Sequence, residues 1–135
     1  MIVTSPSPVH PSTSMIQEVV ASLDKIQSFD GPIIIVCDGY DIVTSRQRMK
    51  MGKVSQELAH NYELYCSELE AVLPPPRCTI IRSPTHVGFA MSVKLGLLNT
   101  MTDYAIVIQH DRKFKKVIDY LPKLLNAMDG TPDIR

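Results

Sequence analysis

The run Ile33-Ile-Ile-Val-Cys37 constrains this chain most. Five consecutive apolar residues, four of them β-branched, leave no polar face to turn toward water. A strand buried on both faces fits that pattern, and such strands belong to parallel sheets flanked by helices. Asp38-Gly39 stops the run. Three further segments read as strands: Met1 to Thr4, Cys78 to Arg82, and Tyr104 to Ile108, the last also apolar on both sides.

Helical periodicity fills the intervals. Ser12 or Thr13 can cap a first helix carrying Ile16, Val19, Val20, Leu23 and Ile26 on one face. A long helix is expected from Thr44 to Val72, with Met51, Val54, Leu58, Tyr62, Tyr65, Leu69 and Val72 in steps of three and four. Pro74-Pro75-Pro76 ends it. Gly88 to Met101 reads as a third helix, with Ala90, Val93, Leu97 and Met101 inward. Phe114, Val117, Ile118, Leu121, Leu124, Leu125 and Met128 give a last one, kinked or split by Pro122. The order β-α-β-α-β-α-β-α predicts one α/β domain over 1–135, a three-layer αβα arrangement around a mostly parallel, Rossmann-like sheet.

Composition removes several function classes. The 135 residues carry no formal net charge, so a nucleic-acid footprint is not expected. Hydrophobic residues at 44% with charged residues at 21% describe an ordinary globular chain. The N-terminal residues lack a basic region and a long apolar run, so neither signal peptide nor membrane segment is expected, and a cytoplasmic setting is the default. Cys37, Cys66 and Cys78 are odd in number and lack CxxC spacing; they read as reduced, mostly buried thiols. Walker, GxGxxG and G-x-S-x-G motifs do not occur where chemistry would need them.

Open parallel sheets bind ligands outside the carboxyl ends of their strands. The residues there are Ser5 and Pro6, Asp38 and Gly39, Ser83 to Gly88, and Gln109 to Asp111. Their polar or small character suits a ligand with hydroxyls and phosphates. Plainer roles exist for each: Asp38-Gly39 as a tight turn, His110 as a loop residue, Gly88 as a helix-start glycine. Arg46, Lys50 and Lys53, and the run Arg112, Lys113, Lys115 and Lys116, read as solvated surface.

The order of these segments resembles the N-terminal, nucleotide-sugar-binding half of family-2-like glycosyltransferases with the GT-A fold. Ile33-Ile-Ile-Val-Cys-Asp-Gly-Tyr-Asp41 is similar to the strand ending in an Asp-Asp-Gly-Ser type motif. Arg82-Ser-Pro-Thr-His-Val-Gly-Phe-Ala90 with Lys94-Leu-Gly-Leu97 is similar to the Asn-x-Gly segment and its helix. Asp103-Tyr-Ala-Ile-Val-Ile-Gln-His-Asp111 is similar to the strand bearing the Asp-x-Asp metal motif, with Gln109 in place of the first acid. Ile2-Val-Thr-Ser5 and Ser22-Leu23 match the first strand and helix more loosely.

The resemblance implies a nucleotide-diphospho-sugar donor for transfer to an unknown acceptor, or a degenerate module that binds without turnover. It implies that Asp38 holds uracil or ribose, and that Arg82 to Gly88 line the base pocket. Asp111 would meet a Mn or Mg ion and the diphosphate, with His110 as a further metal ligand. Ser5, Gly39 and Gln109 complete the donor-binding set. The implied sheet order is the Cys78 strand, the Ile33 strand, the Ile2 strand, then the Tyr104 strand. The family's general base and acceptor site follow the Asp-x-Asp segment. Here Asp119, Asp129 and Asp133 follow it in no recognisable motif, so a domain incomplete at its C-terminus, with an exposed apolar face, is expected.

Overall fold

A computed structural model of the chain describes residues 2–4, 10–43 and 52–131. The strands are β1 (Ile2–Thr4), β2 (Ile33–Cys37), β3 (Asp41–Ile42), β4 (Lys53–Val54), β5 (Cys78–Arg82) and β6 (Ile108–Gln109). The helices are α1 (Ser14–Ser22), α2 (Gln56–Val72), α3 (Gly88–Leu98) and α4 (Leu121–Asp129). No helix among the described residues is long and apolar enough to cross a membrane.

The main sheet runs β5-β2-β1-β6, parallel throughout. That is the strand order the sequence resemblance implied. β2 sits inside it, and all five of its residues are buried. Its side chains alternate between the faces. Ile33, Ile35 and Cys37 join a cluster with Ile16, Val19 and Leu23 of the first helical segment and Tyr62, Tyr65, Cys66 and Leu69 of α2. Ile34 and Val36 are buried outside that cluster. α3 packs against β2 and β1.

The stripe expected on α1 is buried in full, from Ile16 to Leu23 and on to Ile26. Each such side chain contributes about 1.5–3 kcal/mol on burial. Thr13 takes the cap position, but its hydroxyl donates to Glu68 on α2 and accepts from Gln17 instead of capping the helix.

Four expectations need correction. The long helix begins at Gln56, not Thr44. Gly52 has φ 78° and Ser55 Oγ accepts from the Leu58 amide, which fixes the start. Lys53 and Val54 instead form β4, paired with β3 through Asp41↔Lys53 and Ile42↔Val54. Residues 44–51, with Arg46, Lys50 and Met51, lie outside the described residues. So do Asp133 and Ile134.

The fourth strand is shorter than its apolar run. Among the described residues the strand is Ile108 and Gln109, set against Ile2 and Val3 of β1. Tyr104, Ile106 and Ile108 are half-buried while Ala105 and Val107 are exposed, so the segment has one covered face.

α3 presents Ser92 and Gly96 to the sheet, not Ala90, Leu97 and Met101, and it ends at Leu98. Small residues one turn apart let its backbone approach closely. Phe89, Met91, Leu97, Leu98 and Met101 therefore face outward. Finally, α4 starts at Leu121 with Pro122 in its first turn, where a missing N–H costs nothing. Phe114 to Asp119 is not helical; Ile118 bridges to Ile26.

Candidate functional site

Because the main sheet is parallel, β2, β5 and β6 deliver Asp38, Ser83 and His110 to one edge. Asp38 follows β2 directly and is only 4% exposed. Its Oδ1 accepts from the Val87 amide at 2.9 Å and its Oδ2 from the Gly88 amide at 3.0 Å. The carboxylate thus caps the first turn of α3, where free N–H groups and the helix dipole favour an anion. His86 Nδ1 lies 2.9 Å from Asp38 Oδ2, close enough for an ion pair but not aligned as a hydrogen bond.

Two glycines make this bracket possible. A Cβ on Gly39 would overlap the backbone of Thr85, so the chain after β2 meets the chain after β5 at a point where only glycine fits. Gly88 has φ 78° with open space around it; there the requirement is conformational.

Beside the bracket lies a cavity of about 300 Å³, lined by Cys37, Asp38, Gly39, Tyr40, Tyr62, Glu63, Cys66, Arg82, Ser83 and Pro84. That volume is at the small end for organic ligands. Tyr40 and Tyr62 meet edge to face at 5.9 Å, and Tyr62 stacks on Tyr65 at 5.8 Å. Arg82 reaches back across α2, donating to Glu70 at 2.8 Å, Glu63 at 3.0 Å and Ser67 at 3.3 Å. Burial works against its charge, but Glu70 and the other negative neighbours outweigh it and hold the guanidinium pKa above its usual value. The Tyr40 hydroxyl donates to Glu63 at 2.8 Å, which together with partial burial raises its pKa.

Thr4 Oγ1 donates to the Val36 carbonyl at 3.2 Å and lies 3.1 Å from the Tyr62 hydroxyl. A hydroxyl has one proton, so Tyr62 is the donor of that second bond. Burial pushes the Tyr62 and Tyr65 hydroxyls well above the usual phenol range. Both Cys37 and Cys66 line the cavity; the Cys66 thiol favours the charged form of Cys37 and lowers its pKa, whereas Cys37 and burial raise that of Cys66. All three cysteines are free and buried, as the sequence indicated.

The structure therefore gathers Asp38, Gly39, Arg82 and Gly88 around one bracket and cavity. Gln109, His110 and Asp111 stand apart at the end of β6. β1 separates β6 from β2, a span of about 10 Å at the usual strand spacing. Gln109 is exposed and His110 half-buried; the Asp111 side chain is 49% exposed and 3.8 Å from Arg112. No group of three or more His, Cys, Asp or Glu residues suited to a metal occurs among the described residues. Ser5 lies outside them. Lys53 is exposed, and Lys113 pairs with Glu18 at 2.6 Å, which lowers the Glu18 pKa.

Sequence reasoning missed Tyr40, Tyr62, Glu63 and Cys66 as cavity walls. The available signal was Tyr62 and Cys66 one turn apart on the helix stripe, facing the strand that ends at Cys37. A larger hollow of about 460 Å³ lies at the opposite, amino edge, lined by Phe29, Asp30, Gly31, Pro32, Pro76 and Arg77. It collects no comparable cluster of chemistry-bearing side chains, so the carboxyl edge is the stronger site. No family model, curated protein or solved structure matches this chain.

Proposed function

We propose that the carboxyl edge of the β5-β2-β1-β6 sheet binds a nucleotide-diphospho-sugar, and that the chain is a glycosyltransferase-like donor-binding domain. The observation that carries this is the strand order. In chain sequence the sheet reads third, second, first, fourth, so the strand order reverses between β1 and β6, the kind of position at whose carboxyl ends open α/β sheets bind ligands. The burial of β2 on both faces supports a three-layer domain, with α1 and α2 on one side and α3 on the other.

In this proposal the base enters the cavity against Tyr40 and Tyr62, and the diphosphate extends across β1 toward Gln109–Asp111. Asp38 acts by holding Val87 and Gly88; a bond from its carboxylate to ribose would compete with those two amides. One half-exposed carboxylate at Asp111, with His110 beside it, does not make a metal cage. It fits a Mg or Mn ion held mostly by substrate phosphates. Such an ion would supply charge stabilisation to the leaving diphosphate. His110 and Asp111 would orient it there. A second reading, binding without turnover, is favoured by Gln109 where the resembled motif has an acid.

Calorimetric titration with UDP, GDP and their sugar conjugates, with and without Mn, tests the proposal. A ligand at ten times its Kd also raises unfolding stability by about 1.4 kcal/mol. Binding of a sugar nucleotide strengthened by Mn supports donor recognition. Binding without release of sugar to any hydroxyl acceptor selects the second reading. No binding to any of them rejects both.

A further inference from the structure

We propose that the segment from Arg112 to Leu124 is a membrane-facing surface that holds this domain against a bilayer bearing anionic lipid headgroups. The inference rests on the charge and placement of that segment and does not depend on what the carboxyl edge of the sheet binds.

Between Arg112 and Met128 the chain carries five cations, Arg112, Lys113, Lys115, Lys116 and Lys123, against one acid, Asp119. The whole chain is neutral, so this stretch holds four net positive charges and the remainder four net negative ones. Such an asymmetry orients a domain, because an anionic surface attracts the one segment and repels the rest. All five cations are exposed. Glu18 engages Lys113 at 2.6 Å, and Asp111 lies 3.8 Å from Arg112. Among the described residues no carboxylate pairs with Lys115, Lys116 or Lys123.

The fold presents this segment in a fixed shape. Phe114, Ile118 and Leu121 pack against the core. The Phe114 amide donates to Ser22 Oγ at 3.0 Å, the Ile118 amide to the Lys25 carbonyl at 2.9 Å, and the Gln27 amide to the Ile118 carbonyl at 2.8 Å. With those anchors turned inward, Lys115, Lys116 and Val117 are left outside, and Val117 is 71% exposed. Tyr120 is 57% exposed, and Leu124 on α4 is also open to solvent. A surface already held in place loses little freedom when it docks.

The mixture of side chains selects the partner. Lysines interleaved with exposed aliphatic and tyrosine side chains fit a bilayer interface, where ammonium groups meet headgroup phosphates and apolar side chains enter the acyl boundary. Tyrosine is favoured at that depth, with its ring in the apolar layer and its hydroxyl in the wet one. A nucleic acid would also attract the cations, but it gives the aliphatic Val117 and Leu124 no stacking partner, since its bases stack on aromatic rings. Attraction of this kind is screened by salt.

The test is co-sedimentation of the folded full chain with vesicles of phosphatidylcholine alone, or of phosphatidylcholine and phosphatidylserine at about 2:1. At about 0.1 M salt the chain should bind the phosphatidylserine vesicles and stay in solution beside the neutral ones, and about 1 M salt should release it. Each cation removed from the surface weakens partition about fivefold, so the pair Lys115→Gln and Lys116→Gln should lower it about 25-fold. Val117→Ser should lower it by up to about tenfold. The pair Lys53→Gln and Lys94→Gln makes the same change in net charge outside the segment and should alter partition by less than about twofold. No binding to the phosphatidylserine vesicles, equal binding to both kinds, an equal loss in the control pair, no effect of Val117→Ser, or tighter binding to a short DNA duplex than to the vesicles at the same salt would overturn the proposal. The wild-type comparison of the two vesicles and the duplex decides even if a variant does not fold.

Discussion

Replacing Asp38 by Asn tests the bracket that organises the site. The change is almost isosteric but removes the charge and one acceptor. Asn can still accept from Val87, at about half the strength of the charged bond. Its other terminal atom becomes an NH2 facing the Gly88 amide, donor against donor. Hydrogen bonds to charged groups contribute about 1.5–3 kcal/mol each, and Asp38 is too buried for water to replace them. The loss of one such bond and the weakening of the other predict a destabilisation of about 2–4 kcal/mol. For a domain of this length each kcal/mol lowers Tm by about 3–5 °C, so a fall near 10 °C is expected. Urea denaturation followed by circular dichroism measures it, with Asp111→Asn as the reference. Asp111 is half exposed and its substitution should cost no more than about 0.5 kcal/mol. If Asp38→Asn stays within 0.5 kcal/mol of wild type, Asp38 does not hold α3 and the reasoning fails.

Gly39→Ala drives a methyl into the Thr85 backbone and should cost about 1–3 kcal/mol by overpacking; Gly88→Ala meets no atom and should lose about 1–2 kcal/mol through its left-handed φ alone. Parallel denaturation curves measure both. Ser92 Oγ is fully buried and has no partner among the described residues, so Ser92→Ala should leave Tm unchanged or raise it by a few degrees. A clear fall would mean that the hydroxyl is bonded after all. Alkylation by iodoacetamide across a pH series should modify Cys37 before Cys66 and Cys78. A lowered pKa populates its thiolate at pH values where the other two, raised above the ordinary thiol range, remain protonated. Mass mapping that finds Cys78 modified first would contradict that order.

Much of the sheet was legible because β2 and α1 are governed by burial alone. A run apolar on both faces has one comfortable place, and the α1 stripe keeps its period to the end. The errors arose where a local device overruled a pattern. Ser55 and Gly52 started α2 late although the apolar spacing continues upstream. Pro122 reads as a break inside a helix when its neighbours on both sides are apolar, yet it begins one. On α3 the largest side chains suggested the buried face, but close approach selected Ser92 and Gly96. The candidate site was legible as a set of strand ends. Its actual floor was not, since Cys37 meets Tyr62 and Cys66 only after α2 folds over β2, a contact between segments distant in sequence.

The central claim is that a sugar nucleotide binds at the carboxyl edge of the main sheet. Titrating the isotopically labelled chain with UDP-glucose and GDP-mannose in the presence of Mg, and following backbone amide resonances, tests it most directly. The account predicts that one of the two shifts the amides of Asp38–Tyr40, Ser83–Gly88 and Gln109–Arg112 together, along one saturation curve, while Phe29, Gly31 and Arg77 at the amino edge stay fixed. Shifts centred on that amino edge, or none with either ligand at millimolar concentration, would contradict it.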